Sequence, residues 1–298
     1  MADLHTTLVE FDLVIGQPVT LSPLIRRITA PNASDYTGPG TNTYIVGHGD
    51  DVAVVDPGPD DASHVAAILA ATNSRIRWLV ATHTHQDHSP AARPLQLATG
   101  AEMVGMPLTI GTREFLDETF TFDRVVADGD RLVTDSYSLK AVYTPGHVSN
   151  HMSFLLEQEA VLFAGDHIMQ GATVVIASMH GGTMWDYLDS LDKLKGQGIK
   201  WLAPAHGHIL SDCDQVVTEL KTHRLAREQR TLEMLQKLKR GKVDDILPLV
   251  YPDIDPNLAA GARVALLAHL HKLVHDGRAR SQWQKHWIFG EEIWEIIE

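Results

Sequence analysis

Residues His83-Thr84-His85-Gln86-Asp87-His88 place four metal-ligating side chains within six positions. They follow directly on Ile76-Arg77-Trp78-Leu79-Val80-Ala81, an apolar run that reads as a strand. A strand ending in such a cluster delivers nitrogen and oxygen donors into one small volume. That fixes one edge of a sheet as the working edge of the fold. Imidazole and carboxylate donors suit zinc or a similar divalent ion. One ion rarely takes four ligands from so short a loop, so two adjacent ions are expected.

The chain of 298 residues is 44% hydrophobic, enough for one large domain and a small one. Its single cysteine, Cys213, excludes an internal disulfide framework and fits a reducing compartment. Met1-Ala2-Asp3-Leu4-His5 lacks the basic start of a signal peptide, and no apolar run reaches membrane-spanning length. These features predict a soluble, cytoplasmic protein. The net charge of -13 is unevenly spread. From Val216 onward 13 basic and 12 acidic residues nearly cancel, leaving 12 basic and 26 acidic residues before it. The part carrying the cluster is therefore near -14, a field that repels polyanions, although ordinary surface solubility also explains such a charge.

Apolar strands alternate with helical patterns as far as Ala205. Val52 to Asp56 reads as a buried strand ended by Pro57-Gly58-Pro59, and Asp60 to Thr72 as a helix with acidic residues in its first turn. Leu132 to Thr144 and Met152 to Ala164 read as paired strands, the latter turning near Gln158-Glu159. Met184 to Gly196 reads as a helix and Ile199 to Pro204 as a strand. Beyond Asp214, Val216 to Arg240 is a long charged helix closed by Gly241. Val243 to Val250 and Asn257 to Asp276 follow as helices, and Arg278 to Phe289 as a short hairpin. Three helices and a hairpin suggest a winged-helix module. The expected domains are 1–215 and 216–298.

Three further ligand candidates each close a strand: His147 in Thr144-Pro145-Gly146-His147, Asp166 in Ala164-Gly165-Asp166, and His206 in Ala205-His206-Gly207. Any one alone could merely hydrogen-bond to a loop. Glycine beside each lets the backbone turn at a crowded site. Together they bring five histidines and two aspartates, enough for two ions. Asp56, His151 and His208 are expected to orient these ligands rather than join them, Asp56 as a supporting carboxylate.

His-x-His-x-Asp-His followed by separate His, Asp and His resembles the metallo-β-lactamase superfamily across residues 20–210. The resemblance implies an α/β, four-layer αββα sandwich with a two-metal site at one edge. It also implies that His83, His85 and His147 hold one ion, Asp87, His88 and His206 the other, and that Asp166 bridges them. Ala30-Pro31-Asn32, Gly40-Thr41-Asn42-Thr43-Tyr44 and the C-terminal winged helix resemble, more narrowly, the β-lactamase-like protein 2 family. That family includes a single-strand endoribonuclease and fungal polyketide thioesterases. His208 stands where many relatives carry proline, and Asn150 departs from an acidic pair often found before His151.

Two cations lower the pKa of a water between them, so hydroxide exists near neutral pH, and they polarise a carbonyl or phosphoryl oxygen. Asp166 would hold the ions close and Asp87 orient the nucleophile; His151 and His208 are the weak candidates for a leaving-group acid. The expected function is a binuclear, zinc-dependent hydrolase of a small ester, thioester or lactone. The alternative is a single-strand endoribonuclease, favoured by the resemblance and by Lys237-Leu238-Lys239-Arg240. DNA binding is disfavoured, because Ala259 to Val274 carries only Arg263 and Lys272 as basic residues among many apolar ones.

Overall fold

Strand Asn42–Val46 is buried along its whole length, and its side chains divide between two different cores. Tyr44 and Val46 point to one face, Ile45 to the other. That division follows from the two-residue period of a strand. It requires a layer on each side, which the computed structural model of the chain provides. The structure describes residues 8–9, 13–286 and 289–297. Met1–His5, read above as lacking a signal sequence, lie outside the described residues.

One seven-stranded sheet runs in the order Val19–Thr20, Ile25–Thr29, Asn42–Val46, Ala53–Val55, Trp78–Val80, Glu102–Gly105, Arg124–Val125. The other runs Leu8–Val9, Ile209–Ser211, Trp201–Pro204, Val161–Gly165, Met152–Leu156, Ser138–Tyr143, Arg131–Val133. Between them lies a core that includes Tyr44, Val55, Trp78 and Val80 from the first sheet and Met152, Phe154 and Phe163 from the second. Each such side chain contributes about 1.5–3 kcal/mol on burial.

Helices cover both outer faces. α1 (Ala62–Thr72) and α2 (Ala92–Thr99) close the first sheet through Ile68 and Leu95. α3 (Met184–Leu194) and α4 (Cys213–Leu238) close the second through Leu188, Leu191, Val216, Val217 and Leu220. The fold is the expected four-layer αββα sandwich. Among the described residues, no helix is long and apolar enough to cross a membrane.

Helix α1 begins later than the sequence suggested. Asp61 is its N-cap, accepting hydrogen bonds from the backbone N–H of Ser63 and His64, and its first turn holds no acidic residue. The cap, rather than a charge on the helix dipole, starts it.

α4 runs unbroken across position 216. Its first half joins the outer core of the sandwich, whereas Leu232, Met234 and Leu235 join a separate core. That second core contains Ile246 of α5 (Val243–Val250), Leu266, Leu270 and Leu273 of α6 (Ala259–His275), and Trp294. The hairpin is larger than Arg278 to Phe289: Ala279–His286 pairs with Phe289–Ile296, and Arg240–Lys242 adds a third strand. Gly241 lies in that added strand, and α4 ends earlier, before Lys239 at φ 62°.

Candidate metal centre

All four ligand-bearing loops leave the sandwich at one edge. His83 follows strand Trp78–Val80, His147 follows Ser138–Tyr143, Asp166 follows Val161–Gly165 and His206 follows Trp201–Pro204. Two glycines make the crowding possible. Gly146 has φ 136°, and a Cβ there would lie 2.4 Å from Tyr187 Cα. Gly165 has φ 52°, and a Cβ there would meet His151 Nε2 and Thr82 Oγ1 at 2.6 Å. Side chains at these positions would push the His147 and Asp166 loops apart.

Three histidines converge with their lone pairs inward. His147 Nδ1–H donates to the Val175 carbonyl at 2.5 Å, leaving Nε2 as an acceptor. His180 Nε2–H donates to the Glu114 carbonyl at 2.6 Å, so its Nδ1 accepts from His85 Nε2–H at 2.9 Å. Thr82 Oγ1 donates to Asp56 Oδ2 and accepts from His83 Nδ1–H at 3.1 Å. What remains is His83 Nε2, His85 Nδ1 and His147 Nε2, with separations of 2.8 Å between the first two and 3.1 Å between the last two. Three lone pairs with no proton to share repel one another unless a cation lies among them. The donor set therefore fits a divalent ion.

Beside this trio stand Asp87, His88 and His206. His206 Nε2 is 3.3 Å from Asp87 Oδ2, and His88 Nε2 is 3.5 Å from the same oxygen. Asp166 faces both groups: Oδ1 lies 3.5 Å from His88 Nε2 and 3.4 Å from His206 Nε2, and Oδ2 lies 3.7 Å from His147 Nε2. Neither His88 nitrogen nor Asp166 Oδ1 has a hydrogen-bond partner, although all are buried. Buried polar atoms left without partners at one point are what an absent ion would satisfy. His83, His85 and His147, His83, His88 and Asp166, and Asp87, His88 and His206 each bring their donor atoms within 4.8 Å of one another.

The charges follow the geometry. Burial, reinforced by neighbouring histidines, holds His83 well below the usual imidazole range and brings His85 to about 3. Burial also lowers His147. Burial opposes charge on His88 and His206, but Asp87, Asp166 and Asp56 raise the first well above its ordinary value, and Asp166 and Asp87 raise the second. Asp87 and Asp166 resist the upward push of burial because His88 and His206 hold both well below the carboxylate range.

Asp56 adopts φ 48° beside the cluster. It accepts from Thr82 N–H at 2.8 Å and from the Thr82 hydroxyl at 3.0 Å, and lies 3.3 Å from His88 Nδ1 without hydrogen-bond alignment. His151 Nε2 accepts from Asp166 N–H at 3.1 Å, and its Nδ1–H donates to Thr144 Oγ1 at 2.9 Å. Both its nitrogens are thus engaged, which removes it as a leaving-group acid. His208 is half-buried with Nδ1 unpartnered. His180 supports His85 and was missed as a specific partner, because 95 residues separate the two in sequence. The Gly40–Tyr44 motif clamps the His206 loop: Asn42 Nδ2 donates to the Pro204 and Gly207 carbonyls, and Tyr44 Oη to the Pro204 carbonyl.

Residues 36–206 match the metallo-beta-lactamase superfamily, and residues 243–287 match the beta-lactamase associated winged helix domain. The chain is 33% identical over 263 residues to a beta-lactamase-like protein 2 homolog of Caenorhabditis elegans, covering 86% of each. It is 27% identical to an atrochrysone carboxyl ACP thioesterase of Aspergillus chevalieri, over 74% of this chain and 68% of that one. Among solved structures, a beta-lactamase domain protein from Burkholderia ambifaria superposes with TM-score 0.81 at 17% identity, over 98% of this chain and 97% of the other. A metallo-beta-lactamase family protein from Thermus thermophilus gives 0.73 at 21% identity, over 88% and 97%.

Proposed function

The chain belongs to the metallo-β-lactamase superfamily and is a hydrolase, and we propose that it uses two divalent ions, zinc by preference, to cleave a small ester, thioester or lactone. The observation that carries this reading is the placement of Asp166, one oxygen toward each group of ligands. In the proposed assignment His83, His85 and His147 hold one ion, Asp87, His88 and His206 the other, and Asp166 lies between. When bound, the ions supply Lewis acidity and an acidified water. The protein supplies the rest. Thr82, Val175 and His180 fix which nitrogen of each imidazole of the first trio faces inward, Asp56 holds the Thr82 hydroxyl, and Asp87, a ligand in this assignment, would also orient the nucleophile.

Substrate class is argued from the loops that carry and support the ligands. Tyr36, Ile110, Phe115 and Met179 are 42–70% exposed. Met179 adjoins His180, and residue 116 pairs with His85. Tyr36 lies in the loop leading to Gly40, whose carbonyl is 3.4 Å from His206 Nδ1. Large apolar side chains facing water beside a polar site suit an acyl or aromatic substrate. The thioesterase name borne by the Aspergillus chevalieri relative points the same way.

The second reading is cleavage of single-stranded RNA. The exposed run Lys237-Leu238-Lys239-Arg240 favours it, and the charge near -14 before Val216 opposes it. DNA reading is not supported by α6: Arg263 is paired with Asp244, and Lys272 with Glu228 and Asp276. The lone, buried Cys213 supports the cytoplasmic assignment.

Metal analysis should find two ions per chain. Zinc-loaded protein should turn over an ester or thioester with higher kcat/KM than unstructured RNA, and Asp87→Ala should abolish the activity. Efficient RNA cleavage lost in that variant, with acyl turnover at background, reverses the ranking.

A further inference from the structure

Arg224 lies on α4, the helix that runs on into the C-terminal core, yet it is only 2% exposed. A buried guanidinium ordinarily pairs with a carboxylate. Among the described residues none lies within ion-pair distance of it. Arg224 instead donates from Nη2 to the Val174 carbonyl at 2.5 Å, and its Cζ lies 5.1 Å from the centre of the Tyr187 ring. The desolvation of this charge is therefore offset by one carbonyl and one aromatic face.

Both contacts lead to the same imidazole. The neighbouring carbonyl, that of Val175, accepts the Nδ1–H of His147 at 2.5 Å. Tyr187 packs its backbone against Gly146, the residue before His147. The same segment grips His147 again, since Ala177 N–H donates to the His147 carbonyl at 2.8 Å. Val174 and Ile176 pack into the outer core, and Ser178 N–H donates to the Ile176 carbonyl at 3.0 Å. Those contacts hold the segment at Ile176 and Ala177; the Arg224 hydrogen bond adds a restraint on the peptide plane that carries the Val174 carbonyl.

We propose that Arg224 is a positioning residue for His147: it fixes the Val174 carbonyl and the Tyr187 ring so that the Val175 carbonyl keeps His147 Nε2 aimed at the metal centre. The C-terminal part of the chain thereby acts on one half of the centre without touching it. Partners of metal-bound histidines set ligand orientation and basicity, and their loss weakens metal binding roughly 10- to 100-fold. The proposal rests on the reading of His147 as a ligand.

The test uses the full chain, stripped of metal and titrated with zinc in competition with a chromophoric chelator, with thermal unfolding measured alongside. Arg224→Met keeps the apolar stem and loses every donor. It should weaken one of the two zinc affinities by about 10- to 100-fold and leave the other unchanged. Arg224→Lys keeps a donor and should fall between wild type and Arg224→Met. Cobalt-loaded Arg224→Met should show an altered visible spectrum, reporting changed ligand geometry that a loss of fold stability alone would not produce. Two unchanged zinc affinities, or equal losses at both, overturn the proposal. Should Arg224→Met fail to fold, unchanged zinc affinities in Arg224→Lys overturn it. Wild-type protein that binds no zinc removes the ligand reading and this inference together, whereas two-zinc wild type with an indifferent variant removes this inference alone.

Discussion

The trio His83, His85 and His147 and the trio Asp87, His88 and His206 lie side by side, yet their inward-facing atoms are controlled differently. In the first, each imidazole has its outer nitrogen committed to the Thr82 hydroxyl, His180 or the Val175 carbonyl. In the second, neither His88 nitrogen has an aligned partner, and His206 Nδ1 reaches only the Gly40 carbonyl at 3.4 Å. The first is organised by hydrogen bonds and kept neutral by burial. The second is organised by opposite charge, with Asp87 and Asp166 against His88 and His206. A neutral, hydrogen-bonded site is formed before an ion arrives; a charge-paired one must exchange its protons for the ion.

The strongest way to break this contrast is Asp166→Ala. The carboxylate faces both trios and screens two dications from one another. Its loss should empty both halves and lower kcat/KM by about 10³-fold or more. Retention of one tightly bound ion would assign Asp166 to a single half.

Asp56→Asn removes charge while keeping shape. Asp56 touches the first trio through Thr82 and the second through His88. Both affinities should fall by roughly 10- to 100-fold in a chelator titration. A loss confined to the first trio would show that the 3.3 Å approach to His88 carries little energy.

His180→Ala sharpens the contrast from the other side. Of the ligands in the two trios, His180 hydrogen-bonds to His85 alone among the described residues, so about a tenfold loss is expected at one ion and none at the other. Equal losses would mean that the halves are not separately organised.

The smallest effect is in protons. The carboxylates raise His88 and His206, so these rings hold their protons to higher pH than an ordinary imidazole does. An ion must displace them, so affinity at that half rises as pH rises. His83, His85 and His147 are lowered instead, so protons compete less with an ion there and affinity at the first half should depend less on pH. Calorimetry in buffers of different ionisation enthalpy should find more proton release with the ion held by His88 and His206 than with the other. Equal release at both would remove the electrostatic distinction.

The candidate ligands could be picked out of the chain because they lie at strand ends. A strand's apolar run and the donor that follows it are local signals, and the metallo-β-lactamase pattern adds their order. The layered fold, the hydrolase class and the winged helix were legible for the same reason. Helix α2 was not read from the sequence, and the start of α1 was placed too early, since Asp61 acts as a cap and not as part of a charged first turn.

Tertiary structure decided what depends on partners distant in sequence. No spacing rule joins His180 to His85 or Arg224 to the Val174 carbonyl, because each contact forms only when separate layers pack. The engaged state of His151 is likewise invisible in the chain, since it is set by Asp166 N–H and Thr144. The two cores of α4 meet at buried Arg224 and Glu228, which read in the chain as ordinary charges of an exposed helix face and which only packing encloses. By itself the sequence determined which atoms could meet a metal. Packing determined which nitrogen of each ring does so, because a tautomer is chosen by the hydrogen-bond partner that the fold places behind it.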